Sequence, residues 1–101
     1  MKGRCLVRQR YLIAYDVSDD KRRTAVFKTL MGNGDHVQFS VFLCQLSDVE
    51  LQRLKGKLQD CVNTRQDQVI ILDLGPAESE LASRLECIGK SYTPAARVLV
   101  I

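Results

Sequence analysis

Residues 11–23 read Tyr-Leu-Ile-Ala-Tyr-Asp-Val-Ser-Asp-Asp-Lys-Arg-Arg, and they predict the central strand of the domain and the start of its first helix. Side chains alternate between the two faces of a strand, and both faces are apolar up to Asp16, so residues 11–17 are predicted to form a central strand. A polar turn and three consecutive cations follow. An ionised carboxylate loses its hydration at the end of a buried strand, so Asp16 is expected to need a cation or hydrogen-bond donors.

Two helices are predicted on either side of a strand region. Polar residues 18–20 are good N-caps and the glycine-rich segment 32–34 is a typical stop, which predicts a helix over residues 20–31. Ser47 and Glu50 have the spacing of a capping box, and apolar residues follow at helical spacing as far as about Val62. The second helix is therefore the clearer of the two.

The remaining strands complete one sheet. Residues 36–46 alternate between apolar and polar, but the run is long for one strand, which favours two short strands joined near Ser40. Residues 68–74 predict another strand. The order strand, helix, strand pair, helix, strand is typical of an α+β, ferredoxin-like βαββαβ domain, with two helices on one face of a four-stranded antiparallel sheet.

The C-terminal part of the chain is less clear. Apolar residues between 81 and 88 fit a helix, while residues 84–88 also fit a short strand. Residues 97–101 read as a terminal strand, and an apolar edge strand needs covering, so we expect a dimer seam there. The predicted organisation is a basic leader over residues 1–10, a ferredoxin-like core over 11–75 and a dimerisation segment over 76–101. Residues 1–10 also fit a basic arm.

The composition is that of an ordinary small globular domain. Of the 101 residues, 46% are hydrophobic and 27% are charged. Domains of this size bury only about 60–70% of their unfolded surface, so an oligomer is expected. The net charge of +3 permits an anionic partner without requiring one. No signal peptide and no apolar run near the roughly 18 residues of a membrane span is evident, which predicts a soluble, cytoplasmic protein without a membrane partner.

Several chemistries lack support in the sequence. The chain has a single histidine and no C-x-x-C motif, so a zinc site is not expected, and His36 is interpreted as a surface residue. No phosphate-binding glycine motif and no nucleophilic triad can be argued. The aromatic motif of an RNA-recognition module is also missing. The four cysteines are expected to be reduced thiols: Cys5, Cys44, Cys61 and Cys87.

Metal-assisted phosphodiester cleavage remains as a candidate chemistry. Mg²⁺ prefers carboxylate oxygens and is often held by one or two carboxylates together with a substrate phosphate. One Asp16 is a poor site, but a two-fold dimer could bring two copies together around one ion. Lys21, Arg22 and Arg23 oppose the dipole of the first helix, which fits either phosphate binding or solvated surface charge. Asp16 could alternatively cap that helix or pair with an arginine.

Two motifs carry a resemblance to a known family. Residues 15–23, Tyr-Asp-Val-Ser-Asp-Asp-Lys-Arg-Arg, and residues 37–42, Val-Gln-Phe-Ser-Val-Phe, resemble the two signatures of the small CRISPR-associated endoribonuclease family of the adaptation module. The compatible spacing extends from about Tyr11 to Leu74. The resemblance implies a homodimer that partners the CRISPR integrase in capturing and inserting spacer DNA. It also implies Mg²⁺-dependent nuclease activity on single-stranded RNA or double-stranded DNA.

The resemblance also assigns roles to individual residues. Asp16 matches the metal aspartate of the family, Tyr15 the aromatic residue before it, and Arg22 and Arg23 the basic helix start. Ser40 and Phe42 match its Ser-x-Phe motif. Residues 84–88 and 97–101 are implied to be strands, the second of which crosses to the other subunit.

Two other functions stay open at this point. The chain offers no evident general base, so a nucleic-acid-binding adaptor without nuclease activity is an alternative to the enzyme. A ferredoxin-like domain that senses a small molecule is a third possibility.

Overall fold

Six regular elements follow one another in the part of the chain that the structure describes. The structure is a computed structural model and describes residues 7–78, 80–81 and 84–92. The elements are β1 (Gln9–Asp16), α1 (Asp20–Met31), β2 (Asp35–Gln38), β3 (Val41–Leu46), α2 (Asp48–Cys61) and β4 (Gln68–Pro76). The two predicted helices and the predicted split of residues 36–46 are confirmed.

The four strands form one antiparallel sheet in the order β2-β3-β1-β4. β1 is central, as its apolar pattern predicts. Ala14 of β1 lies opposite Val41 of β3 on one side and Ile70 of β4 on the other. The architecture is therefore the α+β, ferredoxin-like βαββαβ arrangement expected from the order of the elements.

Both helices cover the same face of the sheet. Alternate residues of β1 and β3 point into a core that also contains the apolar residues of α1 and α2. The capping box of Ser47 and Glu50 is present at the start of α2. The fully buried side chains with the largest volume are Phe42, Ile13, Leu30, Leu54, Val26 and Cys44. We refer to this side of the sheet as the closed face.

The opposite side of the sheet is apolar as well. Neither α1 nor α2 covers it, and Ile70 and Leu72 are 50% and 53% exposed. Their pairing partners in the central strand show that these side chains share one face. We call this side the open face, and its members are Leu12, Ala14, Val41, Leu43, Ile70 and Leu72.

The N-terminal basic residues that the structure describes are attached to the domain. β1 begins at Gln9, two residues earlier than predicted. Arg8 forms an ion pair of 2.7 Å with Glu50, and Arg10 is buried and donates to the carbonyl of Ala77 at 2.6 Å. Arg8 and Arg10 thus help to hold β4 and α2 against β1. Residues 1–6 lie outside the described residues.

The strand expected over residues 84–88 is not formed. Arg84 and Leu85 donate backbone hydrogen bonds to the carbonyl of Leu81, which makes a single turn, and residues 85–87 have no regular structure. The prediction is wrong for the single chain, in which these residues form a turn and irregular backbone and pair with no strand of the sheet. The strand predicted over residues 97–101 lies outside the described residues. Neither described helix is long and apolar enough to cross a membrane.

Candidate functional site

Asp16 is the last residue of β1 and lies at the end of the open face. It pairs with Gln68 of β4 in the sheet, and its side chain is exposed. Within the described residues, its carboxylate has no hydrogen bond or ion pair. The expectation of a buried acid that needs a partner is therefore wrong for the single chain, because water solvates the carboxylate.

The turn between β1 and α1 excludes a capping role for Asp16. Asp19 is the N-cap of α1, and its carboxylate accepts a hydrogen bond of 2.9 Å from the backbone nitrogen of Arg22. Asp20 supplies a negative charge in the first helical turn. Other residues thus cap the start of α1, and the Asp16 carboxylate is not required for this role.

Arg22 lies in the first turn of α1 and is bound by a second acid. Its Nε and Nη2 donate to the two oxygens of Asp67 at 2.7 and 3.2 Å, and Nη2 also donates to Gln66 at 3.2 Å. The Asp67 side chain is fully enclosed, and it accepts a further hydrogen bond from the backbone nitrogen of Asn63. These donors, Arg22 first, hold the pKa of Asp67 below its usual value. The pair ties α1 to the loop before β4.

The other two cations of this turn differ from each other. Arg23 donates to the carbonyl of Val17 at 3.0 Å and forms an ion pair with Asp20. Lys21 is exposed and has no partner within the described residues. Of the three residues predicted to bind nucleic acid, Lys21 is thus the least engaged by the protein. Phosphate binding by Lys21, Arg22 and Arg23 stays a prediction.

Tyr15, Ser40 and Phe42 lie together, but on the far side of β1 from the open face. Tyr15 and Phe42 are buried on the closed face with ring centroids 6.4 Å apart. The carbonyl of Ser40 accepts a hydrogen bond of 3.1 Å from the backbone nitrogen of Tyr15. Burial raises the pKa of the Tyr15 phenol. These residues therefore fix the end of β1, from which Asp16 projects to the other face.

A metal site is only partly provided by one chain. Within residues 7–78, 80–81 and 84–92, no group of three or more histidine, cysteine or acidic residues could hold an ion. Asp16 offers a single hydrated carboxylate. That donor fits Mg²⁺, which is often held by one or two carboxylates and a substrate phosphate, but only if a second chain or the substrate completes the set.

Sequence reasoning missed the clamp of Arg22 and Asp67. The two residues are 45 positions apart, and a single sequence gives no signal for a pair at that separation. Asp67 lies in a segment whose composition predicts a polar loop, where acids are common. The buried Arg10 was missed for the same reason, since its partner Ala77 is 67 positions away.

The chain is similar to known proteins over most of its length. The model of the family "CRISPR associated protein Cas2" matches residues 9–80. The CRISPR-associated endoribonuclease Cas2 of Geobacter sulfurreducens is 37% identical over 91 residues, which cover 90% of this chain and 95% of that protein. A protein of the same name from Thermus thermophilus is 42% identical over 71 residues, covering 69% of this chain and 76% of that protein.

Solved structures give the same result. A hypothetical protein from Thermus thermophilus superposes with a TM-score of 0.72 and 30% identity, covering 87% of this chain and 99% of that one. The Streptococcus pyogenes Cas2 structure at pH 6.5 superposes with a TM-score of 0.70 and 28% identity, covering 79% of this chain and 99% of that one.

Proposed function

Because the chain belongs to the CRISPR associated protein Cas2 family, we propose that it acts in CRISPR adaptation as a homodimer that binds and cleaves nucleic acid with Mg²⁺. The relatives compared with it are named endoribonucleases. Single-stranded RNA is therefore the first substrate to test, and double-stranded DNA the second. Asp16 is the proposed catalytic residue.

One observation carries this proposal. Asp16 is an exposed acid without a partner in the described chain, and it lies at the end of an apolar face that no described helix covers. Apolar patches of this kind mark interaction sites in proteins that are otherwise well packed. A second copy packed against the open face would bury the patch and add its own Asp16.

Two such chains would offer a suitable donor set. The Asp16 carboxylates would hold Mg²⁺, which supplies positive charge to the scissile phosphate. Lys21, exposed at the start of α1, would attract the phosphate backbone. The clamp of Arg22 and Asp67 would keep the start of α1 in place beside the end of β1.

The cleavage hypothesis is tested with Asp16→Asn in purified protein. We expect loss of Mg²⁺-dependent cleavage of single-stranded RNA, with the molar mass and the melting temperature unchanged, because an exposed acid without a partner contributes little to folding. Asp60→Asn is the matched control, since Asp60 is also exposed but lies in α2. Equal cleavage by wild-type protein and Asp16→Asn would remove Asp16 from the mechanism.

A second candidate function is a non-catalytic adaptor that bridges dimers of the CRISPR integrase. It is favoured by the small number of metal ligands in one chain, which offers no group of three among its described residues. The two candidates differ in what spacer acquisition requires. In cells that carry the integrase and a repeat array, the adaptor predicts normal acquisition with Asp16→Asn, whereas the enzyme predicts its loss.

A further inference from the structure

A pocket of about 330 Å³ lies on the closed side of β1, where the strand ends. Its size is at the lower end of the range of about 300–1,000 Å³ for ligand sites, which suits one ring system. It is formed by the end of β1, the first turns of α1 and the connection between β2 and β3. The lining residues are Tyr15, Arg23, Thr24, Phe27, His36, Phe39 and Ser40.

The aromatic part of this pocket is ordered by ring contacts. The His36 ring stacks on Phe42 with centroids 4.8 Å apart and meets the edge of Phe27 at 5.2 Å. The Nε2 atom of His36 lies 3.3 Å from the carbonyl oxygen of Phe39. Phe39 itself is 83% exposed, although it lines the pocket. Folding of the single chain therefore leaves the Phe39 ring largely unpacked.

The polar part of the pocket indicates the kind of ligand. Thr24 and Ser40 are lining residues with hydroxyl groups, whereas the guanidinium of the lining residue Arg23 is already bonded to the carbonyl of Val17 and to Asp20. A planar ring with a hydrogen-bonding edge would stack on Phe39 and also satisfy polar groups at the rim.

The pocket lies at the same end of β1 as the proposed cleavage site, but on the closed face, whereas Asp16 lies at the end of the open face. Tyr15, which lines the pocket, is the residue immediately before Asp16, and Ser40 is hydrogen-bonded to the backbone of Tyr15. Lys21 and Arg23 lie in the same first turns of α1. A nucleic-acid strand whose phosphate binds Lys21 and that passes over the end of β1 would thus bring a neighbouring base within reach of the pocket.

We propose that this pocket receives one unstacked nucleobase of a single-stranded nucleic acid, with Phe39 as the stacking residue. The proposal deepens the proposed function and rests on it, since it presupposes that the protein binds a strand. Stacking on an exposed aromatic ring is tolerant of sequence, so the pocket would favour single-stranded over fully paired nucleic acid.

The absence of tryptophan from the chain allows a direct test. Phe39→Trp places a single indole at the pocket, and Val49→Trp places one on the exposed surface of α2 as the matched control. Both changes are made in the full chain together with Asp16→Asn, so that the strand is not cleaved. The probes are a fluorescein-labelled oligouridylate of about 12 nucleotides and an abasic strand of the same length.

We expect the oligouridylate to quench the indole of Phe39→Trp and to leave that of Val49→Trp unchanged, while the abasic strand quenches neither. In a second measurement, anisotropy of the labelled strands, Phe39→Ala should weaken binding of the oligouridylate about tenfold and leave binding of the abasic strand unchanged. Phe39 is exposed, so both substitutions should leave the fold intact.

The outcomes separate this proposal from the function on which it rests. If both strands bind with equal affinity and the indole of Phe39→Trp responds to neither or to both alike, the base pocket is excluded while nucleic-acid binding stands. If neither strand binds by anisotropy, both proposals fail. A pocket that instead binds an aromatic side chain of a protein partner would give the first outcome, in which the two strands bind equally and the indole does not distinguish them.

Discussion

The two faces of the sheet are both apolar, yet α1 and α2 cover only one of them. On the closed face, Ile13 of β1 is completely buried beneath the two helices. On the open face, Ile70 of the adjacent β4 remains half exposed. The described helices of one chain cover the closed face, whereas neither of them covers the apolar residues of the open face. That difference points to association.

The position of the acids follows the same division. Asp67 is enclosed and engaged by Arg22 and by backbone nitrogen, so it belongs to the structure of the single chain. Asp16 is hydrated, has no partner in the described chain and ends the open face. Asp16, which has no structural role in the described chain, is therefore the proposed catalytic residue.

The largest expected effect comes from the closed face. Ile13→Ala removes a fully buried side chain and should lower the free energy of unfolding by about 2–5 kcal/mol. Ile70→Ala makes the same chemical change on the open face and should cost much less at low protein concentration. Its cost should grow with concentration, because dimer formation then buries Ile70. Urea unfolding at several protein concentrations measures both. Equal losses for the two variants would contradict the distinction between the faces.

The open face can also be disrupted without touching the core. Ile70→Asp places a charge in the proposed interface and should weaken dimerisation by about a hundredfold or more, because an unpaired buried charge is strongly disfavoured. Sedimentation equilibrium should then give the 11.4 kDa of one chain.

Val49→Asp is the control for this charge, since Val49 is an exposed apolar residue of α2 and lies away from the sheet. This variant should retain the dimer. A dimer that survives Ile70→Asp and is lost with Val49→Asp would place the interface on the helices instead.

A smaller effect concerns the enclosed acid. The pKa of Asp67 is lowered in the folded chain, so its ionised form stabilises the fold above the ordinary aspartate pKa of 3.8. Asp67→Asn should therefore lower the melting temperature at pH 7 by about 5 °C. The difference from wild type should shrink as the pH falls below that ordinary value, because the unfolded chain then binds a proton that the folded chain binds only at the lowered pKa of Asp67.

Thermal melts from about pH 2 to about pH 7, on both sides of the ordinary aspartate pKa, measure this dependence. Asp60→Asn serves again as the control, and its melting temperature should follow that of wild type throughout. A constant deficit of Asp67→Asn at every pH would show that the charge of Asp67 is unimportant.

Sequence reasoning succeeded where a local pattern determines the structure. The alternation in residues 11–17 predicts a central strand, and the capping box of Ser47 and Glu50 predicts the start of α2; both are confirmed. It failed where the answer depends on distant parts of the chain. Asp16 is exposed because both helices pack on the opposite face of the sheet. A strand that is apolar on both faces does not indicate which face the helices will cover.

The candidate site shows the same limit. The resemblance to the family points to Asp16, Arg22 and Arg23, but it gives no indication that Arg22 is bound by Asp67. The pocket beside Tyr15 is lined by residues from separate parts of the chain, so no single sequence motif predicts it. Residues 84–88 form a turn and irregular backbone, and their apolar pattern alone does not distinguish this from a strand.

Isotope-filtered NOE spectra of a mixture of ¹³C-labelled and unlabelled wild-type protein would show whether a second copy packs against the open face beside Asp16. We expect contacts between chains from the methyl groups of Leu12, Ile70 and Leu72. A protein that remains monomeric, or contacts that arise from α2 instead, would exclude this packing.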